Sequence, residues 1–454
     1  MNINDEYIVK IDKLINEGQG FAKINGIPVF IDNACPQDVL KIKIKKVNKH
    51  FLTAEYVEII EPSPYRVKPV CSLFNVCGSC TWQHIEYSQQ LIQKQNIVKE
   101  TIKSIAGVDF EVKETIPSPK IQEYRCKVQM PVSQTKVSKR ILSGYYKKNS
   151  HELINIKYCP MQPEIINKIS EYIKENSQNL NITGYNEKNN RGLLRHIVYR
   201  LSSDNNNILI VFVLNSNVID NSVKQISEKI MSVFPEVKGI CANFNTQKTN
   251  VILGKSTHKI IGNDFYIEKL DNIKYKVSAG SFFQVNPLCA MQIFNKVKEL
   301  ISDNCTMPTI LDAYSGVSSF GIWLSSIASK VVSIEEVQSA SNDANYNAEL
   351  NNIKNIEIIN GDAGAEFEKL QNRGIKFDVS IIDPPRKGCT DESINNLVKL
   401  TSKYIVYVSC NVSTLARDVK KLSEYGFNVK YIQPVDMFPN TSHIETIVML
   451  EKTN

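Results

Sequence analysis

The sequence lacks any long apolar run. No segment approaches the roughly 20 consecutive apolar residues that a membrane-spanning helix needs. The first ten residues, MNINDEYIVK, include acidic side chains and lack the apolar core of a secretory signal. We therefore expect a cytoplasmic protein with no membrane partner, and we take it to be a monomer.

A disulfide framework is also missing. The eleven cysteines are odd in number and scattered over 454 residues. In a reducing compartment, such cysteines act as metal ligands, catalytic thiols or packing residues. The charge excess is small, at +7 for the whole chain. It permits a nucleic-acid partner but does not demonstrate one.

The length predicts two or three domains. Residues 1–62 contain short strands separated by glycine-bearing turns, which is typical of a small, OB-like β-barrel. In its segment KIKIKKVNK, Lys41, Lys43 and Lys45 share one face by the two-residue strand period. That face is either a solvated surface or a stripe that contacts RNA phosphates. We expect a central α/β domain over residues 63–272.

Residues 273–454 alternate strand-like and helix-like segments, which predicts a doubly wound, Rossmann-like, mainly parallel sheet. The last two strands have no helix between them and should form an antiparallel hairpin at the sheet edge. Ligands bind at the carboxyl ends of strands in such sheets. The polar residues expected at that rim are Asp312, Glu335, Asp362, Asp383, Cys410 and Glu445.

A nucleoside cofactor is predicted at this rim. The first strand-to-helix turn, LDAYSGVSS, contains Gly316, and Glu335 follows at the end of the second strand. A turn of this kind with an acid about 20 residues beyond it suits a nucleoside whose ribose bonds the acid. There is no G-x-G-x-x-G, so this signal alone is weak. Asp362 is a candidate neighbour of the adenine, or else a turn former.

The segment IIDPPRKGC is more specific, because its two prolines fix an extended backbone after Asp383. It lacks an aromatic residue after the prolines, where Arg386 stands, and this argues against methylation of a base amine. It also lacks the adjacent second cysteine of RNA cytosine-5 methyltransferases. Further along, Cys410 ends a strand-like run within YIVYVSCNVSTLARD and is a candidate nucleophile.

A separate cysteine cluster, CSLFNVCGSC, supplies Cys71, Cys77 and Cys80, and Cys159 in KYCP offers a distant fourth ligand. Four thiolates suit a tetrahedral zinc ion or a [4Fe-4S] cluster, and the spacing alone does not separate the two.

The motifs DPPRKG, SCNVSTLARD and MFPNTSHIETIVML resemble the RNA uracil-5-methyltransferase family, specifically its TRAM-domain, iron–sulfur branch that acts on 23S rRNA. The resemblance extends over essentially the whole chain. It implies a TRAM domain at the N-terminus, S-adenosylmethionine as cofactor and a [4Fe-4S] cluster on the four cysteines. It also implies site residues: Gln284 in FFQVNP on the cofactor; Tyr314, Glu335 and Asp383 as cofactor or base contacts; Cys410 as nucleophile; Glu445 as base. Ser318, Val412 and Cys126 depart from the family pattern.

Methylation at carbon 5 of uracil needs such residues. That carbon is a poor nucleophile until a thiolate adds to C6, and a base must later remove the C5 proton. Cys410 and Glu445 are predicted to fill these roles, and Arg417 is a candidate to stabilise the enolate oxygen. Three alternatives remain open: a tRNA uracil-5 enzyme, an RNA cytosine-5 enzyme, and a non-catalytic RNA-binding assembly protein.

Overall fold

The computed structural model describes residues 1–453. The chain divides into two compact units. The first contains residues 1–118 and 385–389 and continues from 407 to the end of the described chain, whereas the second contains residues 119–384 and 390–406. The boundaries of these units differ from those of the three predicted domains, 1–62, 63–272 and 273–454. The three domains remain predictions. Within the described residues, no helix combines the length and the apolar character required to cross a membrane.

The first unit begins with a six-stranded sheet in the order β1-β5-β6-β4-β3-β2. Its strands are β1 (Glu6–Lys10), β2 (Lys13–Leu14), β3 (Gly20–Ile24), β4 (Ile27–Ile31), β5 (Val39–Val47) and β6 (Leu52–Glu61). The predicted alternation in β5 is confirmed, because Ile42 and Ile44 are fully buried while Lys41 and Lys43 are partly exposed. The core of this sheet therefore consists of the alternate residues of its strands that face inward.

Helix α1 (Tyr87–Thr101) follows and continues into a short π-helix, Ile102–Ala106. Its Lys94 is fully buried and forms an ion pair with Asp436, and its ammonium lies 5.7 Å from the centre of the Trp82 ring. A buried charge persists only when it is paired, so this contact fixes α1 to the segment around Asp436.

The second unit begins with a seven-stranded sheet in the order β13-β12-β11-β10-β7-β8-β9. The elements are β7 (Lys127–Gln134), β8 (Ile141–Tyr146), β9 (Leu153–Asn155), α2 (Glu164–Ser177), a 3₁₀ turn (Gln178–Leu180), β10 (Leu194–Leu201), β11 (Ile208–Leu214), α3 (Asn221–Val233), β12 (Val237–Phe244) and β13 (Ser256–Gly262). Every residue of β11 is buried, which explains its uninterrupted apolar sequence.

The same unit continues with a separate two-stranded sheet made of β14 (Phe265–Leu270) and β15 (Ile273–Ser278). The predicted Rossmann-like arrangement follows, and its elements are α4 (Pro287–Ser302), β16 (Thr309–Ala313), α5 (Ser319–Leu324), a 3₁₀ turn (Ser325–Ile327), β17 (Lys330–Glu335), α6 (Gln338–Leu350), β18 (Ile356–Asn360), α7 (Ala363–Asn372), β19 (Phe377–Ile382), α8 (Asp391–Leu400) and β20 (Thr401–Ser409). The strand order is β18-β17-β16-β19-β20, and the β16–β17, β17–β18 and β16–β19 pairs are parallel.

The last elements return to the first unit. They are α9 (Val412–Glu424), β21 (Phe427–Val435) and β22 (Glu445–Lys452). The end of β20 also belongs to this unit, where β22 and then β21 follow it in the strand order. β21 and β22 pair antiparallel, with Val435 opposite Glu445, so the predicted terminal hairpin is confirmed.

Candidate active site

The carboxyl end of β16 carries a buried acid in the second unit. Asp312 is 1% exposed, and its Oδ2 accepts hydrogen bonds from the Gly321 N–H at 2.8 Å and the Ser333 hydroxyl at 3.3 Å. Burial raises the pKa of Asp312 to about 7, although these hydrogen bonds oppose the shift. Asp312 therefore holds the start of α5 in place.

The loop between β16 and α5 adopts an unusual backbone. Tyr314, Gly316 and Ser318 all have φ near +60°, a region that side-chain-bearing residues seldom occupy. A glycine would adopt this conformation at position 318 without strain, whereas Ser318 carries a side chain there. The Ser318 hydroxyl lies 2.7 Å from the hydroxyl of Ser333, a bond available only to a side chain. Ser318 is therefore accommodated in the loop.

Glu335 ends β17 and fastens this loop. Its Oε2 accepts the Gly316 N–H and its Oε1 accepts the Val337 N–H, both at 2.8 Å. Each carboxylate oxygen has two lone pairs, so one backbone donor per oxygen leaves acceptor capacity for ribose hydroxyls. The position and the chemistry therefore fit the predicted cofactor site.

Asp383 directly follows β19, whose Ile382 pairs with Ala313 of β16. Its Oδ2 accepts a hydrogen bond from Gln284 Nε2 at 3.3 Å, so the structure brings these two predicted residues together. Burial raises the pKa of Asp383 above that of an ordinary carboxyl. Asp362 is exposed and caps α7 by accepting the Ala365 N–H at 3.0 Å, which accounts for its conformation without a ligand.

In the first unit, Cys410 lies half-buried between β20 and α9. The next residue, Asn411, caps α9 through Oδ1, which accepts the Ser413 N–H at 3.1 Å. Its Nδ2 donates to the Arg386 carbonyl at 3.1 Å. Cys410 therefore directly precedes the N-cap of α9, and the capped start of this helix fixes the backbone that carries the candidate nucleophile.

Sequence reasoning missed the network that shapes this end of α9. Asp418 is fully buried, and its Oδ2 accepts the Cys389 N–H at 2.9 Å and the Tyr407 hydroxyl at 2.8 Å. Arg417 donates to the carbonyls of Lys387 and Cys389, both at 3.1 Å. Arg417 therefore braces the 385–389 loop, which argues against the enolate role considered for it. The adjacent opposite charges in LARD were the available signal.

Glu445 begins β22 and is 2% exposed. The preceding segment is fixed within the same unit, because the carbonyl of Asn440 accepts the N–H groups of Thr81 and Trp82 at 3.1 and 3.0 Å. Asn440 N–H in turn donates to Gln90 Oε1 at 3.0 Å. The candidate base therefore stands at the end of a well-anchored turn.

The predicted metal centre is not assembled. Among residues 1–453, no group of three or more histidine, cysteine, aspartate or glutamate side chains could hold a metal ion. Cys71, Cys77 and Cys80 lie partly exposed in the first unit, whereas Cys159 is buried in the second. The iron–sulfur cluster therefore remains a prediction, and the mechanism proposed below contains no step that involves one.

The lysine stripe of β5 is partly engaged within the protein. Lys41 Nζ lies 2.8 Å from Glu6, and Lys45 Nζ lies 2.9 Å from Glu55. RNA phosphates would have to compete with these carboxylates, so the structure favours a mixed-charge face over a simple phosphate track.

Comparison with known proteins adds to this geometry. Residues 86–453 match the family described as tRNA (Uracil-5-)-methyltransferase, and residues 2–57 match the TRAM domain. Proteins named as uncharacterized RNA methyltransferases are 36% identical in Bacillus cereus and 37% identical in Clostridium acetobutylicum. The alignments cover 98% and 99% of this chain and 97% and 98% of those proteins.

A solved structure is also similar. The Pyrococcus abyssi tRNA (uracil-54, C5)-methyltransferase in complex with S-adenosyl-L-homocysteine is 28% identical, with a TM-score of 0.75. The match covers 98% of this chain and 100% of that one.

Proposed function

Since this chain belongs to the tRNA (uracil-5-)-methyltransferase family, and thus to the S-adenosylmethionine-dependent RNA methyltransferases, we propose that it methylates uracil C5 in 23S rRNA through a covalent Cys410 adduct. The observation that carries the covalent step is the placement of Cys410 and Glu445. One follows β20, the other begins β22, and these strands are neighbours in the sheet.

S-adenosylmethionine supplies an electrophilic methyl group when bound. The residues that we propose to hold it are Gln284, Tyr314, Glu335, Asp362 and Asp383. Glu335 supports this assignment best, because it fixes the left-handed loop and keeps acceptor capacity at the strand end. Asp362 is supported least, since capping α7 already explains its orientation.

The chemistry begins at Cys410. Its thiolate forms a bond to C6, and the displaced electron pair makes C5 an enolate carbon that attacks the methyl group as the sulfur–methyl bond breaks. Glu445 then accepts the C5 proton. The returning electron pair restores the C5–C6 double bond and expels the Cys410 thiolate. Burial of Glu445 keeps water away from the proton it must take.

Transfer RNA is the second candidate substrate. It is favoured by the Pyrococcus abyssi enzyme, whose described substrate is a tRNA uridine. The barrel does not discriminate between the two substrates, because that enzyme matches 98% of this chain. Family membership favours uracil over cytosine as the target base. Because Ser318 is hydrogen-bonded within the cofactor loop, this departure from the family pattern does not favour a non-catalytic protein.

The test is to map 5-methyluridine in 23S rRNA and in tRNA from cells that lack this protein. We expect one or more 23S rRNA sites to lose the modification, with restoration by the wild-type gene but not by the Cys410→Ala gene. Loss confined to tRNA would overturn the rRNA assignment and leave the uracil-5 chemistry intact.

A further inference from the structure

A groove in the first unit lies outside the site described above. It has a volume of about 720 Å³ and is bordered by the turn after β2, by β4 and β6, by the end of α1 with its π-helix, and by the start of α9. Residues that line it include Asn16, Glu17, Phe30, Phe51, Glu100 and Ser413.

Aromatic rings form a row beside this groove. Phe21 and Phe30 face each other across β3 and β4 with ring centres 6.1 Å apart, and Phe51 continues the row at 5.4 Å from Phe30. The neighbours Ala22 and Val29 are buried in the barrel core, so the strand period turns the phenylalanines outward. Phe51 is 37% exposed. Rings displayed on the outside of a barrel are available to stack on a ligand.

The groove reaches the helix that follows the candidate nucleophile. Asn16 Nδ2 donates to the Ser413 hydroxyl at 3.1 Å, and Ser413 lies three residues after Cys410. At about 1.5 Å of rise per helical residue, this is within roughly one turn of the thiol. A nucleotide beside a uridine held at Cys410 is therefore within reach of the groove.

The charges of the groove indicate which part of RNA it accepts. Glu17 and Glu100 line it, and Lys13 lies 2.5 Å from Glu100. Carboxylates repel phosphates but accept hydrogen bonds from the amino groups of adenine, guanine and cytosine. Thr53 and Thr101 add hydroxyls that can donate or accept. Aromatic faces with acceptor groups suit a base more than a backbone.

We propose that this groove binds an unstacked base of the substrate RNA, adjacent to the target uridine and carrying an exocyclic amino group. The inference rests on the proposed function, because it takes the RNA to be the substrate and Cys410 to mark the target. It adds a base-recognition subsite on the barrel, with stacking by the phenylalanine row and selection by the carboxylates.

Binding of fluorescein-labelled oligoadenylate, oligocytidylate and oligouridylate of about twelve nucleotides, a length within the span of one OB-like fold, tests the subsite without turnover. Phe51→Ala and Phe51→Leu should weaken oligoadenylate and oligocytidylate binding roughly 5- to 100-fold, the range expected for one stacked base. Phe51→Trp, which keeps an aromatic ring, should bind these oligonucleotides as tightly as the wild type. Tyr425→Ala, which removes an exposed aromatic outside the groove, should change nothing.

Three results would overturn the subsite: wild-type affinity in both Phe51→Ala and Phe51→Leu, equal losses in Phe51→Ala and Tyr425→Ala, or equal affinity of the wild type for all three oligonucleotides. Phe51→Leu preserves apolar volume, so it separates lost stacking from lost folding, and thermal melting checks each variant.

Base removal in the substrate RNA identifies the occupant. An abasic nucleotide placed in turn on each side of the target uridine should cost affinity at one position in the wild type, and far less in Phe51→Ala. If the affinity losses from base removal and from Phe51→Ala were additive at every position, the subsite would be rejected. Continued methylation would then leave the proposed function intact. Absence of 5-methyluridine from every RNA would instead reject the proposed function, whatever the oligonucleotides show.

Discussion

At the scale of single residues, the division of work between Cys410 and Glu445 is directly testable. Cys410→Ala should abolish methylation and leave no protein–RNA adduct, because the enolate never forms. Glu445→Gln keeps the shape of the side chain but removes its basicity, so addition and methyl transfer proceed and the C5 proton remains. A covalent complex with methylated RNA should therefore accumulate, visible as a slow band on a denaturing gel.

The Cys410→Ala/Glu445→Gln double variant is the control, and it should show no slow band. Normal turnover by Glu445→Gln, or an adduct that survives in the double variant, would show that these two residues have been assigned wrongly.

Asp312 makes a second prediction, which concerns pH. Its pKa is about 7 in the folded protein against 3.8 ordinarily, so the folded state holds a proton that the unfolded state releases. Its contribution to stability is greatest below about pH 4 and falls as pH rises to about 7, by at most roughly 1.4 kcal/mol per pH unit. Asp312→Asn keeps an acceptor for Gly321 and should flatten the decline of unfolding free energy over this range.

Asp378 supplies a control of opposite sign. Burial acts to raise its pKa, but hydrogen bonds from Thr309 and Lys403 outweigh it and hold the pKa of Asp378 below the model-peptide value. Its contribution is present above that ordinary value and is lost as pH falls. Denaturant unfolding of Asp378→Asn should therefore show its stability loss at neutral pH and less of it in acid. Parallel curves for the wild type and Asp312→Asn would refute the Asp312 argument.

At the scale of elements, the 385–389 loop depends on one glycine. Gly388 has φ of +74°, and an added Cβ would lie 2.5 Å from both Arg417 Nη2 and Asp418 Oδ2. Gly388→Ala therefore adds a clash to the left-handed penalty and should push the loop away from α9. We expect Gly388→Ala to lower the unfolding free energy by about 1–3 kcal/mol more than the same substitution at a left-handed glycine in open space. Methyltransferase activity should also be lost.

Gly374 is the matched control, with φ of +69° and nothing within 4 Å of an added Cβ. Gly374→Ala has the conformational penalty alone and should retain activity. Equal stability losses in the two variants, measured by urea unfolding, would show that the contacts with Arg417 and Asp418 are dispensable.

The 71–80 loop is the element where the sequence and the structure disagree. The spacing of its thiols, with Cys159, predicts four ligands, yet the described residues contain no metal-holding group. The sequence-based hypothesis predicts about four irons per chain in protein purified without oxygen. Elemental analysis decides it, with Cys77→Ser as the variant that should lose the iron. One zinc would identify a different centre, and no metal would leave these thiols as packing residues.

At the scale of the whole molecule, RNA binding should be less salt-sensitive than the lysine stripe alone suggests. Removal of Lys41, Lys43 and Lys45 would flatten the salt dependence by up to roughly three units of slope if all three bound phosphates. Because Lys41 and Lys45 contact Glu6 and Glu55, we expect a smaller change. Anisotropy titrations over a range of salt measure it, and a loss of the full three units would contradict this view.

Much of the architecture could be predicted from local pattern. The bounds of β5 follow from alternating Lys and Ile, and β16, β17 and β19 follow from short apolar runs that end in acids. The antiparallel pairing of β21 with β22 followed from the lack of a helix between them. These features are local in the chain, so composition and period suffice to reveal them.

The rest depended on contacts between distant positions. The adjacent charges in LARD indicate a local ion pair, but they do not indicate that the Arg417 guanidinium binds the carbonyls at 387 and 389. Nothing near Lys94 in the sequence indicates a partner 342 residues away. Backbone conformation could not be predicted either, because a serine at position 318 does not indicate a left-handed φ. Tertiary packing decides such features, and a single sequence does not record it.

The first unit is assembled from three separate stretches of chain, 1–118, 385–389 and 407 onward. During synthesis the N-terminal stretch leaves the ribosome long before α9, β21 and β22 exist. Lys94 therefore stays without its counter-ion until Asp436, 342 residues later, has been synthesised. A nascent chain stalled before residue 436 should expose this lysine and its neighbours to chaperones, and biogenesis of the enzyme is consequently limited by synthesis of the segment that contains Asp436.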